Sequence, residues 1–276
     1  MKFDKDELKN LKEGIVPRKN HDLDKLKREL RTSSIDERIK SLTAQNIGQV
    51  SEYMKKRAQD KLEVVFIFDK SGSCEGLEAQ TTAGFNGVIE AEIENDRNDI
   101  ITTVLFSDSA STVHNRQQVN TVNHFSYQAW GGTALYDTLC SQIKATEIAQ
   151  QHDDIKPKKT IFIIMTDGYD NQSYKNSESD TKRIIKAKEE QGWEFIFLGA
   201  MEEAKDIAKR LGIPADHAEH YISGEIDGNF ESVKLLLDSM HEIGEIEKNW
   251  SEPINERKRL SNGNQKRLGS GRKRLF

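Results

Sequence analysis

Leu62-Glu63-Val64-Val65-Phe66-Ile67-Phe68-Asp69-Lys70-Ser71-Gly72-Ser73 is the stretch on which the reading of this chain turns. Its first seven residues are aliphatic, β-branched or aromatic apart from one glutamate. The run is too short for an amphipathic helix and too continuously apolar for a half-exposed strand. It suits a strand covered on both faces, as central strands of parallel sheets are. It stops at Asp-Lys-Ser-Gly-Ser, a segment of turn-forming residues. Working outward, Thr160–Met165 and Trp193–Leu198 repeat the pattern, and Ile100–Phe106, Ser111–Val119 and His220–Ile222 read as further strands. Helical stretches are expected near Leu77–Glu94, Thr133–Gln151, Ser179–Gln191, Glu202–Leu211 and Asn229–Glu245. Short apolar strands alternating with amphipathic helices predict an α/β chain: a Rossmann-like, doubly wound, mostly parallel sheet flanked by helices.

That pattern occupies residues 61–248 and leaves an addition at each end of the 276 residues. Residues 1–60 read as a charged, helical N-terminal extension. Leu23, Leu26 and Leu30 fall at helical spacing, and Ser34-Ile35-Asp36-Glu37 fits a capping box ahead of the thin stripe Ile35, Ile39, Leu42. Such a stripe suits packing on a neighbouring domain or a partner helix better than a core of its own. Residues 249–276 read as a disordered basic tail. Pro253 is expected to break any helix, and Arg257-Lys258-Arg259, Lys266-Arg267 and Arg272-Lys273-Arg274 are separated by Ser, Asn and Gly.

Net charge divides along the same lines. Residues 1–60 carry +4, residues 61–251 carry −15 and residues 252–276 carry +6, so the overall −5 hides an acidic body between basic ends. An acidic body suits cation binding and argues against its docking on nucleic acid. The tail either contacts nucleic acid or another acidic surface, or serves as a solvated tail; no aromatic residue interleaves its clusters to stack on bases. The two cysteines, Cys74 and Cys140, have no disulfide-framework spacing. Residues near Met1 have no signal-peptide character, and no run approaches the ~20 apolar residues of a membrane span. A reducing, cytoplasmic location with no membrane contact is the expectation.

In open α/β sheets ligands bind beyond the C-terminal ends of the strands, where strand order reverses. Three segments leaving such strand ends carry oxygen ligands. Asp69, Ser71 and Ser73 alternate, and in a nearly extended loop they would project to one side, a carboxylate and two hydroxyls converging. Gly131-Gly132-Thr133 presents a hydroxyl at a helix start. Asp167 follows the apolar strand that ends at Met165.

Asp69-x-Ser71-x-Ser73, Thr133 and Asp167, in that order, resemble the metal-ion-dependent adhesion site of von Willebrand factor A domains. The flanking Phe66-Ile67-Phe68-Asp69 and Gly131-Gly132-Thr133-Ala134-Leu135-Tyr136-Asp137 resemble bacterial and phage members, and the likeness covers about two thirds of the chain. The resemblance implies a divalent ion, Mg²⁺ first with Mn²⁺ or Ca²⁺ as further candidates. It implies Ser71, Ser73 and Thr133 as direct ligands, with Asp69 and Asp167 acting mostly through water. An all-oxygen set suits Mg²⁺, and neutral hydroxyls leave the ion's charge open to one more anionic oxygen. The expected function is therefore a metal-dependent protein-binding module that captures a partner's Asp or Glu in a bacterial or phage assembly or stress-response system. Companions of the AAA+ ATPase or tellurite-resistance stress-response kind are implied by the resemblance alone.

The expectation for catalysis is negative. Cys74 adjoins the motif, but no histidine has the spacing to activate it, and a small buried thiol is the plainer role. Cys140 sits with Leu139 and Ile143 as core. His114, His124, His152 and the other histidines form no paired zinc spacing. Ser71 stands where a phosphatase with an aspartyl intermediate would need a second carboxylate. Asp137, one turn after Thr133, either orients its hydroxyl or is an ordinary helix-start acid. Asp170 and Asn171 either line the rim or serve the turn, and Gly168 lets the chain turn away from the ion. The competing reading is a nucleic-acid-associated scaffold bound through the tail.

Overall fold

The computed structural model describes residues 60–154 and 156–271, with side chains through residue 261. The helical extension expected over residues 1–60 lies outside the described residues except for Asp60. Six strands, β1 (Leu62–Asp69), β2 (Ile100–Phe106), β3 (Ala110–Gln118), β4 (Lys159–Thr166), β5 (Glu194–Gly199) and β6 (Ala218–His220), form one sheet in the order β3-β2-β1-β4-β5-β6. Neighbouring strands are parallel except β3, which turns back along β2 as an antiparallel edge. Helices α1 (Glu78–Glu94), α2 (Leu135–Gln151), α3 (Glu178–Glu189), α4 (Ala204–Arg210), α5 (Asp227–Glu242) and α6 (Glu252–Gly271) complete the chain. This is the doubly wound α/β architecture expected from the alternation of apolar runs and amphipathic stretches.

Strand β1 explains why the decisive run is apolar throughout. All eight of its residues are buried. Successive side chains point to opposite faces, so Val64, Phe66 and Phe68 join a core with Phe85 and Val88 of α1 and with Phe230, Val233 and Leu237 of α5. Val65 and Ile67 join the other core, with Leu135, Leu139 and Ile143 of α2, Ile185 of α3 and Ile207 of α4. The exception, Glu63, is fully buried and is answered by Arg116, which donates from Nε at 2.7 Å and Nη2 at 3.1 Å, and by Gln150 Nε2 at 2.7 Å. Arg116 reaches it from an irregular stretch of the β2–β3 pairing, where its φ is +48°.

The stretch expected to be a disordered tail is not one over its first part. Helix α6 runs from Glu252 to Gly271, and the expectation that Pro253 breaks the helix fails for a physical reason. Pro253 lies in the first turn, where backbone N–H groups have no intrahelical partner to lose. The domain expected to close at residue 248 continues through Trp250 and Ile254, each 2% exposed and part of the core beside α5. Trp250 Nε1 donates to the Asp216 carbonyl at 2.8 Å, and Lys258 Nζ to Glu219 Oε1 at 2.6 Å. No helix among the described residues is long and apolar enough to cross a membrane.

Burial of Ile254 separates a docked helix from a dangling tail. Ile254→Ala should lower stability by about 2–4 kcal/mol in urea unfolding, whereas an unpacked segment would register no change.

Candidate metal centre

Connections from β1 and β4 leave the sheet in opposite directions, since β2 lies on one side of β1 and β4 on the other. The ends of these two strands are therefore the switch point at which doubly wound sheets open a crevice. Asp69 is the last residue of β1, and Asp167 directly follows β4. Thr133 stands two residues before α2, on the loop beside them.

The first loop builds its convergence differently from the extended form expected. Ser71 is extended, but Gly72–Cys74 closes a 3-10 turn, with the Cys74 amide donating to the Ser71 carbonyl at 3.0 Å. Asp69 folds back over the loop: its Oδ1 accepts the Ser71 amide at 2.8 Å, and its Oδ2 accepts the Thr166 hydroxyl at 2.6 Å. The turn sets the Ser71 and Ser73 hydroxyls 3.1 Å apart, and Ser73 Oγ donates to Asp167 Oδ1 at 2.7 Å. Asp69, Cys74 and Asp167 each offer a ligand atom within 4.8 Å of the others.

Thr133 is buried and held from both sides. Its amide donates to Asn171 Oδ1 at 2.8 Å, and its carbonyl accepts the Asn171 and Gln172 amides at 2.9 and 3.2 Å. The loop before it is tied to the Ser71 loop by the Gly72 amide on the Gly131 carbonyl, 3.0 Å, and the Trp130 amide on the Lys70 carbonyl, 2.8 Å. Gly131 has φ +85°, a conformation that favours glycine, and a Cβ there would lie 2.9 Å from Asp108 Oδ2 and displace that carboxylate. Gly168 matters for closeness rather than for an unusual turn: a Cβ would sit a tight 3.3 Å from Thr133 Oγ1 and 3.9 Å from Ser73 Oγ. The two hydroxyls thus converge beside Gly168, and the structure brings all five expected residues to one edge.

The donor set fits a hard divalent ion. In an octahedral Mg²⁺ shell with bonds of about 2.0–2.1 Å, adjacent oxygens lie about 2.9 Å apart. The Ser71–Ser73 and Ser73–Asp167 oxygen separations, 3.1 and 2.7 Å, bracket that value. Burial raises the Asp69 carboxyl, the Thr166 hydroxyl and Ser71 amide oppose the rise, and the Asp167 charge adds to it. Burial first, then the negative charges of Asp69 and Asp167, push the Cys74 thiol far above its ordinary range. With no cation beside it, the buried Cys74 thiol is held in its neutral form.

Solved structures similar in fold include a von Willebrand factor domain. That domain, from the type V pili tip protein Mfa5 of Porphyromonas gingivalis, is 9% identical, with 68% of this chain and 98% of that one aligned and a TM-score of 0.49. The manganese-loaded TRAP protein of Plasmodium vivax is 13% identical over 63% of this chain and 74% of that one, with a TM-score of 0.46. Proximal thread matrix protein 1 of the mussel byssus is 15% identical over 64% of this chain, with a TM-score of 0.46; the match spans 46% of the mussel protein. No protein-family model and no curated relative matches the chain.

Thr166 and Asp108, which the spacing argument passes over, and Asn171, which it reads as a rim or turn residue, position the cluster. Thr166 aims Asp69, Asp108 accepts the Gly132 amide at 2.6 Å, and Asn171 clamps Thr133. Thr166 and Asp108 stand at strand ends on this edge, and that place was their signal. Asp170 and Asn171 are clamps rather than rim residues, for Asp170 Oδ2 accepts the Tyr136 amide at the start of α2 and the Ser173 hydroxyl. Asp137 does not orient the Thr133 hydroxyl. Its carboxylate accepts the amides of Tyr174, Lys175 and Asn176 at 2.7–3.2 Å and the Asn176 side chain at 2.8 Å. Burial pushes Asp137 up, but these donors outweigh it and hold the carboxyl below its ordinary 3.8.

Asp137→Ala should therefore lower stability by about 1–2 kcal/mol and speed hydrogen exchange at residues 174–176. The depressed value makes the carboxylate's contribution present above pH 3.8 and lost as pH falls through the lowered value. Acid unfolding curves of wild type and Asp137→Ala should converge there.

Proposed function

We propose that Asp69, Ser71, Ser73, Thr133 and Asp167 hold a divalent cation, Mg²⁺ by the chemistry of the donors, and that the chain uses it to capture an acidic side chain of a partner protein. The observation that carries this reading is the continuous oxygen chain Ser71 Oγ–Ser73 Oγ–Asp167 Oδ1 at the sheet's switch point. With the hydroxyls of Ser71, Ser73 and Thr133 as direct ligands and Asp69 and Asp167 acting through water, the oxygens bound to the ion are neutral and leave its charge poorly answered at close range. One anionic oxygen from outside would complete its shell. The motif is that of a von Willebrand factor A-type adhesion site in a binding module rather than an enzyme. The raised thiol of Cys74 leaves no activated nucleophile beside it.

The surroundings favour a protein ligand. Trp130, Tyr169 and Tyr174 are 57%, 51% and 80% exposed and stand on the two loops that flank the site. Aromatic side chains of this kind give large contact area at low entropic cost in protein interfaces. Lys70 Nζ sits 4.6 Å from the Trp130 ring, Lys175 Nζ 5.2 Å from the Tyr174 ring, and Tyr169 donates to Glu203 at 2.8 Å, so each has a neighbour that orients it. A bacterial or phage setting, a cytoplasmic location and an AAA+ ATPase or stress-response companion complete the proposal through the motif's likeness. Nucleic-acid binding through the C-terminal segment is less favoured, because Lys258 and Arg259 pair with Glu219 and Glu252 within the chain.

Tagged wild type and Asp69→Ala, each exposed to source-cell lysate in Mg²⁺ or in EDTA, should differ in one respect. A partner should be retained by wild type in Mg²⁺ and lost, by roughly 100-fold or more, in the other three conditions. Calorimetry should show Mn²⁺ or Mg²⁺ binding abolished in Ser71→Ala/Ser73→Ala protein that keeps its circular dichroism. Equal retention in all four conditions would remove the site from partner choice.

A further inference from the structure

At the edge of the sheet opposite the hydroxyl cluster, three ionisable side chains from three elements meet out of reach of solvent. Glu92 on α1 is 1% exposed, Asp99 immediately before β2 is 0% exposed, and the side chain of His241, near the end of α5, is 6% exposed. Asp99 Oδ1 accepts the Leu62 amide at 2.8 Å, which fixes the carboxylate and leaves Oδ2 at 2.9 Å from His241 Nε2. Glu92 Oε2 lies 3.5 Å from that same nitrogen and has no hydrogen-bond partner. One ring nitrogen thus faces two carboxylate oxygens and can give its single proton to only one of them.

Charge balance asks for a second proton, on Glu92, or for a cation in its place. Two carboxylates and an imidazolium leave one buried negative charge, at a cost of several kcal/mol. Burial raises the Glu92 carboxyl; burial also pulls His241 down, but the bond to Asp99 and the neighbouring Glu92 carboxylate outweigh that and raise it. A doubly charged ion with a neutral imidazole brings the same three groups to zero. Ligand atoms of all three residues already lie within 4.8 Å of one another. The 2.9 and 3.5 Å separations straddle the ~3.3 Å between ligands of a tetrahedral ion with bonds of about 2.0–2.1 Å.

We propose that Glu92 Oε2, Asp99 Oδ2 and His241 Nε2 form a second metal site, for a zinc-type divalent ion, that joins α1, the start of β2 and the end of α5. The imidazole selects against Mg²⁺ and Ca²⁺ and for Zn²⁺ and its neighbours. The Leu62 amide on Asp99 Oδ1 is the kind of outer hydrogen bond that orients a metal-binding carboxylate. Because its ligands come from segments distant in sequence, the ion would bind only the folded chain and stabilise it.

The test uses the full chain stripped of metal, as wild type and as Asp69→Ala, which disables the hydroxyl-rich centre. Asp69→Ala should bind one equivalent of Zn²⁺ by calorimetry with a rise in Tm, wild type at least one, and Co²⁺ should give both the visible absorption of a tetrahedral site. Glu92→Gln and His241→Gln should each weaken Zn²⁺ by about 100-fold or more. Zinc binding unchanged in Glu92→Gln, or lost in Asp69→Ala, would overturn the proposal. So would absence of zinc binding and of a Co²⁺ band in wild type with stability that varies only with pH, the cluster then being bridged by protons. The Co²⁺ spectrum is read on wild type, so it decides the matter even where Glu92→Gln fails to fold.

Discussion

Two carboxylates are forced together by the pairing of β1 with β4. The strands run parallel and side by side, so Asp69 and Asp167 end at one edge with ligand oxygens within 4.8 Å. At an effective dielectric constant of about 20, two charges at that separation repel by roughly 3–4 kcal/mol. The surrounding structure answers that repulsion with donors. Thr166 and the Ser71 amide take the two oxygens of Asp69, and Ser73 takes Asp167. The 3-10 turn after Ser71, the glycines at 131 and 168 and the Asn171 clamp all serve to bring hydroxyls to that point. A divalent ion, as proposed for this cluster, would turn that repulsion into shared attraction.

The opposite edge uses a different solution for buried charge. Glu63 lies within β1 at full burial and is neutralised by a guanidinium that reaches it bidentately, the geometry in which arginine is most effective. Glu92 and Asp99 share a single imidazole nitrogen instead. The sheet thus carries polar groups at both ends of an apolar body. The C-terminal end is rich in hydroxyls and partly open, and the N-terminal end is rich in paired charge and closed.

Strand runs such as 62–68 and 160–165 were legible because burial on both faces demands uninterrupted apolar residues, and few other structures do. The five oxygen residues were legible because each lies at or just beyond a strand end or at a helix start. Asp137, Asp170 and Asn171 were not, since their partners at residues 174–176, 136 and 133 come from other loops, some 34–39 residues away. Pro253 misled for a local reason. A proline reads as a helix breaker unless it falls in the first turn, and only the position of the turn decides which.

What the sequence by itself determined is the α/β alternation, the doubly wound sheet and the set of residues at its C-terminal edge, because each follows from local patterns of burial and turn chemistry. Tertiary structure alone decided that Asp69 is aimed by Thr166, that Thr133 is held by Asn171, and that the C-terminal segment docks through Trp250 and Ile254. It alone brought Glu92, Asp99 and His241 together, across as many as 149 positions of chain. Hydrogen bonds and ligand sets depend on distances of about 3 Å, and separation along a chain carries no record of such distances until the strands are paired.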